Sequence, residues 1–204
     1  NKGWRDMGKD RKIPYLYKNY PRLRVCGILK SFRDWAYDRG ETIRATTSFL
    51  MADSTTPDGD YIKPQTNPTN TDCWNGKAYT PLNQLTPGRT KYGTNNNVRI
   101  FRYADVLLMN AEAKIKNGKS GDAPFNEVRR RAQMPELTNV TFEQVIDERR
   151  MELVCEWGER YNDLVRTGLA KTELKGWSED KALLPLPFNQ YTQIPDLLKE
   201  PKDE

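Results

Sequence analysis

The sequence predicts a mainly α-helical fold with long irregular loops and little β structure. Three observations carry this expectation. An apolar stripe with helical period lies between Val98 and Asn117, helix start and stop residues recur through the second half, and turn signals crowd residues 54–97.

The first half reads as a loop-rich, variable region over residues 1–97. Leu23 to Leu29 and Ile43 to Met51 are short apolar runs with extended character. Beyond them come Thr56-Pro57-Asp58-Gly59, Asn67-Pro68, Asn75-Gly76, Thr80-Pro81, Thr86-Pro87-Gly88 and Gly93-Thr94-Asn95-Asn96-Asn97. Successive turns of this kind, with little apolar period between them, mark a segment that is either functional or disordered. It is expected to be a ligand-facing insert.

Residues 98–204 read as the helical region. Ala104, Leu107, Leu108, Ala111 and Ile115 form one face of a helix that Gly118 ends. A second helix runs from about Gly121 to Ala132, with Pro124 tolerated in its first turn. Thr141 and Gln144 form a capping box for a third, expected to reach Trp157. A short helix then carries Tyr161, Leu164 and Val165 to Gly168, and Leu183-Leu184-Pro185-Leu186-Pro187 is extended because its prolines forbid helix. Ala111, Ala123 and Pro135 fall where a tetratricopeptide unit has its small residues and terminal proline. One such pair cannot bury its own face, so a tetratricopeptide-like scaffold implies a larger stack.

Composition limits the chemistry. The 204 residues suffice for a core, although only 36% are apolar and 30% are charged. No apolar run approaches the roughly 18–20 residues of a membrane span. The start, Asn1-Lys2-Gly3-Trp4, has no initiator Met and no apolar signal, so the sequence is expected to be one domain of a longer chain. The net charge of +5 is spread along the sequence and mixed with carboxylates, which argues against a nucleic-acid stripe. Even Arg129-Arg130-Arg131 would splay over roughly 200° of a helix. Three cysteines make no disulfide framework; Cys26 and Cys73 could close one bridge, and Cys155 reads as a small core residue. Histidine is absent, which excludes Ser-His-Asp and Cys-His hydrolases and His-bearing zinc sites within this sequence.

The motifs Arg102-Tyr103-Ala104-Asp105-Val106-Leu107-Leu108-Met109 through Ala113, Asn126 to Ala132, Glu148-Arg149-Arg150-Met151-Glu152-Leu153, Gly158 to Arg166 and the Leu183–Pro187 segment follow in fixed order. In that order they resemble the SusD/RagB family of nutrient-binding outer-membrane lipoproteins of Bacteroidetes, over roughly residues 98–200. The resemblance implies a SusD-type helical scaffold that binds a surface glycan, or less often a peptide, without catalysis or cofactor. It implies delivery to a SusC-type TonB-dependent transporter at the extracellular face of the outer membrane, through a lipid anchor outside this sequence. A helical protein–protein scaffold without glycan binding is the alternative.

Charges of both signs recur at core-facing positions of these motifs, including Asp105, Glu112, Arg129, Glu148, Arg149, Glu152, Asp163 and Arg166. Glu148 and Glu152, one turn apart, could serve as an acid/base pair, but surrounding arginines would keep both ionised and make them helix braces instead. No catalytic or metal-ligating residue is expected. Sugars bind through C–H faces on aromatic rings, with polar side chains reading hydroxyls. The candidate platform is therefore Trp74 and Asn75 with Asp72, Tyr61 and Tyr79, and a second cluster is Trp35 with Asp34 and Tyr37. Trp157 and Trp177 read as packing residues of the helical half.

Overall fold

A computed structural model describes residues 28–63, 73–84, 99–157 and 159–183, and these fall into two compact units divided after Glu159. The first unit begins with α1 (Lys30–Asp38) and α2 (Ile43–Ser48), followed by four short strands: β1 (Phe49–Met51), β2 (Ser54–Thr55), β3 (Tyr61–Ile62) and β4 (Cys73–Asn75). Two 3₁₀ turns, Gly76–Ala78 and Leu82–Gln84, precede three longer helices, α3 (Tyr103–Lys116), α4 (Asp122–Arg131) and α5 (Phe142–Glu152). The architecture is mainly α with little strand, as the sequence indicates.

Helices α3, α4 and α5 pack around one apolar core. Leu108, Ala111, Phe125, Val128 and Val145 are almost fully buried in it, with Ile115 packed at its edge. The apolar stripe of α3 is thus the face the sequence identifies. Gly118 ends α3 with a left-handed φ of 68°, a conformation that favours glycine. Gly121 permits close approach of α4, because a Cβ there would stand 2.9 Å from the Ala111 carbonyl oxygen. The Thr141–Gln144 capping box opens α5. Of the two tetratricopeptide alanines, Ala111 is buried and Ala123 is exposed; Phe125 fills the α4 core position instead.

A second core lies among Ile28, Ala36, Ala45, Phe49, Cys73 and Met151. Its two-stranded sheet pairs β1 antiparallel to β4, with Leu50 opposite Trp74 and Met51 opposite Cys73. Strands β2 and β3 form a separate antiparallel hairpin, pairing Ser54 with Ile62 and Thr55 with Tyr61. Because α5 supplies Val145 to one core and Met151 to the other, residues on both sides of position 97 belong to one unit.

Three local expectations change. Ile43–Met51 is a helix for its first six residues and a strand only afterwards. Thr46 and Thr47 hydroxyls bond back to the Thr42 and Ile43 carbonyls, which accommodates these β-branched residues in a single helical turn. Helix α5 stops at Glu152 rather than reaching Trp157, and Cys155 sits beyond it with a φ of 62°. Cys155 is exposed, not a core residue. Leu23–Val25, Cys26 with its possible bridge to Cys73, and Leu184–Pro187 lie outside the described residues.

The second unit holds most of α6 (Glu159–Thr167), α7 (Ala170–Glu173) and a 3₁₀ turn, Glu179–Ala182. Asp163 and Arg166 form the expected pair at 2.6 Å, and Tyr161 packs edge-on against Trp177. No described helix is long and apolar enough to cross a membrane.

Truncating Leu108 to alanine is expected to cost about 2–5 kcal/mol, whereas Tyr103→Ala, at an exposed position of the same helix, should stay within roughly 0.5 kcal/mol. Urea unfolding of the two variants measures this; equal losses would mean that α3 does not bury the face described.

Candidate functional site

Half of the side chains that α5 buries are charged. Val145, Glu148, Arg149 and Glu152 follow helical spacing and are all buried. Glu148 Oε2 accepts from Arg39 at 2.7 Å and Arg129 at 2.9 Å, while its Oε1 lies 2.6 Å from Arg44 Nη1. Glu152 Oε1 accepts from Arg102 at 2.8 Å and Arg131 at 2.5 Å, and its Oε2 from Arg44 at 3.2 Å. Arg44 also grips Glu41 through Nε and Nη2. On the same α5 face, Arg149 pairs with Asp105 at 2.6 Å.

The network continues outward to Glu156. Arg102 meets both Glu156 oxygens, at 2.8 and 2.9 Å, and its Nη2 also reaches the Glu152 carbonyl. Lys77 donates to Glu156 at 2.6 Å and to that same carbonyl at 2.5 Å. Burial acts to raise the pKa values of Glu152 and Glu156, but hydrogen bonds from Arg102 and nearby cationic charge outweigh it. Both carboxyls end below the ordinary value near 4.5. Lys77 goes the other way: burial lowers its pKa, and the Glu156 bond only partly offsets that.

Above this floor opens a cavity of about 730 Å³. Its walls come from the end of α2, the Asn75–Thr80 segment, Arg99 and Arg102, the end of α4, and the loop after α5. Gly76 seats the second wall on the first, since a Cβ there would fall 2.1 Å from the Thr47 carbonyl oxygen. Asn75 caps the 3₁₀ turn by accepting from Lys77 N–H at 2.9 Å. Trp157 lines the cavity with 62% of its surface exposed, and its Nε1 donates to the Arg99 carbonyl at 2.6 Å. An indole tethered by its N–H and open over its face is a ready stacking surface. The packing role expected for Trp157 is therefore corrected: it follows the end of α5, where no helix face covers it.

Of the residues singled out from sequence, the structure brings Asn75 and Tyr79 to this cavity. The Tyr79 hydroxyl bonds Asp60 and Thr56, tying the β2–β3 hairpin to the cavity wall. Tyr61 lies on that hairpin, exposed, with its hydroxyl on Asp53 at 2.6 Å. Trp74 is half-buried in β4 across from Leu50 and does not line the cavity. Trp35 is elsewhere: it stacks on Phe32 and lies beneath Arg150 and Arg39 at 4.3 and 4.7 Å, so much of its ring is occupied. Its neighbours are engaged too, Asp34 with Lys30 and Tyr37 with Phe49. Asp72 lies outside the described residues. Sequence reading missed Arg99, Arg102 and Trp157 as cavity residues. The one available signal in the sequence was Gly158, a turn-favouring residue directly after the tryptophan.

Residues 9–194 match the model of the SusD family. Among curated relatives, SusD-like protein P38 of Formosa agariphila is 33% identical over 119 residues, which is 50% of this chain and 24% of the relative. The starch-binding protein SusD of Bacteroides thetaiotaomicron is 36% identical over 81 residues, 39% of this chain and 14% of that protein. Among solved structures, surface glycan-binding protein A from Bacteroides thetaiotaomicron in complex with laminarihexaose superposes with a TM-score of 0.69 at 26% identity. That match covers 91% of this chain and 43% of the other. The same-named protein from Bacteroides uniformis gives 0.65 at 25% identity, over 84% and 40%. The chain thus spans less than half the length of each of these proteins.

Because Glu152 and Glu156 titrate lower in the folded state than in the unfolded chain, their contribution to stability is complete above about pH 4.5. It disappears as pH falls through the lower folded values. Glu152→Gln is expected to cost about 3 kcal/mol at neutral pH and to flatten the acid limb of a stability–pH curve. Chemical denaturation followed by circular dichroism from pH 7 to pH 3 tests both; an unchanged acid limb in the variant would contradict the assigned network.

Proposed function

The chain belongs to the SusD family, and from that premise we propose that it is the C-terminal part of a non-catalytic surface glycan-binding protein. The observation that carries the reading is the cavity itself, where an exposed, tethered indole stands beside a polar wall. Trp157 would stack against a sugar ring, Asn75 and Thr80 would read hydroxyls, and Tyr79 would close one end. An exposed aromatic offers contact area at small entropic cost because it has only two side-chain torsions. The laminarihexaose in a structurally similar protein supports a glycan as the ligand class. Trp74, Tyr61 and Trp35 remain candidate contacts for a longer glycan, as does Asp72.

Glu148 and Glu152 do not have the environment of a glycosidase pair. Both are buried among arginines, and Glu152 is held ionised, whereas a general acid must carry its proton near neutral pH. Family membership further supports delivery of the glycan to a SusC-type TonB-dependent transporter. The same premise supports a position at the extracellular face of the outer membrane, with a lipid anchor on the longer protein. A protein-contact role has its own observation: Ile100, Phe101, Tyr103, Val106 and Met109 expose apolar surface along and just before α3. That surface suits a protein partner, and co-purification of the transporter tests it.

Isothermal titration of the full-length protein against a panel of polysaccharides should find a binder, with affinity falling at least about tenfold on Trp157→Ala. Trp74→Ala should cost less, because Trp74 is outside the cavity. A panel without any binder would defeat the glycan reading, and full affinity in the Trp157 variant would move the site elsewhere.

A further inference from the structure

The cavity is not electrically balanced. Six cations, Arg39, Arg44, Lys77, Arg102, Arg129 and Arg131, are linked by ion pairs to four carboxylates, Glu41, Glu148, Glu152 and Glu156. Arg99 adds a further positive charge on the lining. Most of these cations are spent on their carboxylates, Arg102 through all three of its nitrogens. Two are not. Arg131 is 60% exposed along its side chain and gives only Nη2 to Glu152, and the Arg99 guanidinium has no ion partner among the described residues. Arg99 also carries the carbonyl that anchors the Trp157 indole, so the stacking surface and an unspent guanidinium are adjacent in the chain fold.

We propose that this cavity takes an acidic glycan, one whose sugar rings bear carboxylate or sulfate groups, with Arg99 and Arg131 receiving those groups while Trp157 stacks on the ring. The inference rests on the glycan reading of the same cavity and narrows its substrate class. A planar guanidinium offers paired N–H donors that match the two oxygens of a carboxylate or sulfate, which a neutral hydroxyl cannot return with equal strength. Clustered like charge at a partly desolvated site is unfavourable until an anion arrives. Lys77, on the same lining, has its pKa pulled below the ordinary lysine value, chiefly by burial, with its Glu156 partner only partly offsetting that. At the Tyr79 end the nearest carboxylate, Asp60, is held by the Tyr79 hydroxyl and the Leu82 N–H. Arg99, Arg131 and Trp157 line this same cavity.

The test is titration of the full-length protein with polygalacturonate, a sulfated galactan, their carboxyl-reduced and desulfated counterparts, laminarin as a neutral glucan, and inorganic polyphosphate. Binding of one acidic polymer is expected, with a loss of about tenfold or more on its neutralised counterpart and on Arg99→Gln. Which acidic polymer binds distinguishes carboxylate from sulfate, and added salt should weaken it. Binding confined to neutral glycans, or indifferent to Arg99→Gln, overturns the acidic-ligand inference and leaves the glycan reading intact. Equal binding of polyphosphate overturns it as well, by reducing the site to unspecific charge. Failure of every glycan overturns both.

Discussion

Two carboxylates on one helix hold the first unit together. Glu148 and Glu152, with 0% and 1% exposure, draw in Arg39 at the end of α1, Arg44 from α2, Arg102 at the start of α3, and Arg129 and Arg131 from α4. Each of the helices α1 to α4 described in that unit therefore ends, begins or crosses at α5. Burying such charges is expensive, and the cost is offset only where geometry and hydrogen bonding are nearly complete. The pairing instead fixes position: a helix displaced by one turn would leave a guanidinium or a carboxylate alone in a desolvated site. Apolar packing by Val145 and Met151 on the same helix supplies adhesion to both cores, and the ion pairs supply register.

The same network is the floor of the cavity. Arg44, Arg102, Arg131 and Glu152 brace helices with some of their atoms and line the cavity as well. Residues from α2, the Asn75–Thr80 segment and the loop after α5 reach it because each is anchored to that floor, through Gly76 against Thr47, Lys77 on Glu156, and Arg102 on Glu156. A site made of short loops is thereby given the rigidity of the helices beneath it, which positions polar groups without ordering them at the moment of binding.

The sequence made some of this legible and concealed the rest for definite reasons. The α3 stripe, the Thr141–Gln144 box and the Gly118 stop are local signals, decided within a turn or two, and all three appear as expected. The buried face of α5 is half charge, so a hydropathy pattern cannot show which side faces in; the motif charges do, once partners are assumed. Helix α2 was hidden by its β-branched threonines, and the β1–β4 pairing by a gap of more than twenty residues. Asn75 and Tyr79 stood out as polar and aromatic residues in a turn-rich loop. Arg99 and Trp157 did not, since the cavity joins segments that only tertiary structure brings together.

This dual use of one ion network separates the residues of the cavity into two kinds. Arg44, Arg102 and Glu152 cannot be changed without leaving a buried charge unpaired, so any effect of their substitution on a ligand would be mixed with an effect on folding. Arg99 and Trp157 carry little of the fold: one guanidinium lacks an ion partner among the described residues, and one indole is held by a single hydrogen bond to a backbone carbonyl. Their exposure is costly to no other contact, yet it leaves a positive charge and a large apolar face side by side in water. A pairing of that kind is intelligible as a surface completed by a ligand with an apolar ring face and an anionic edge.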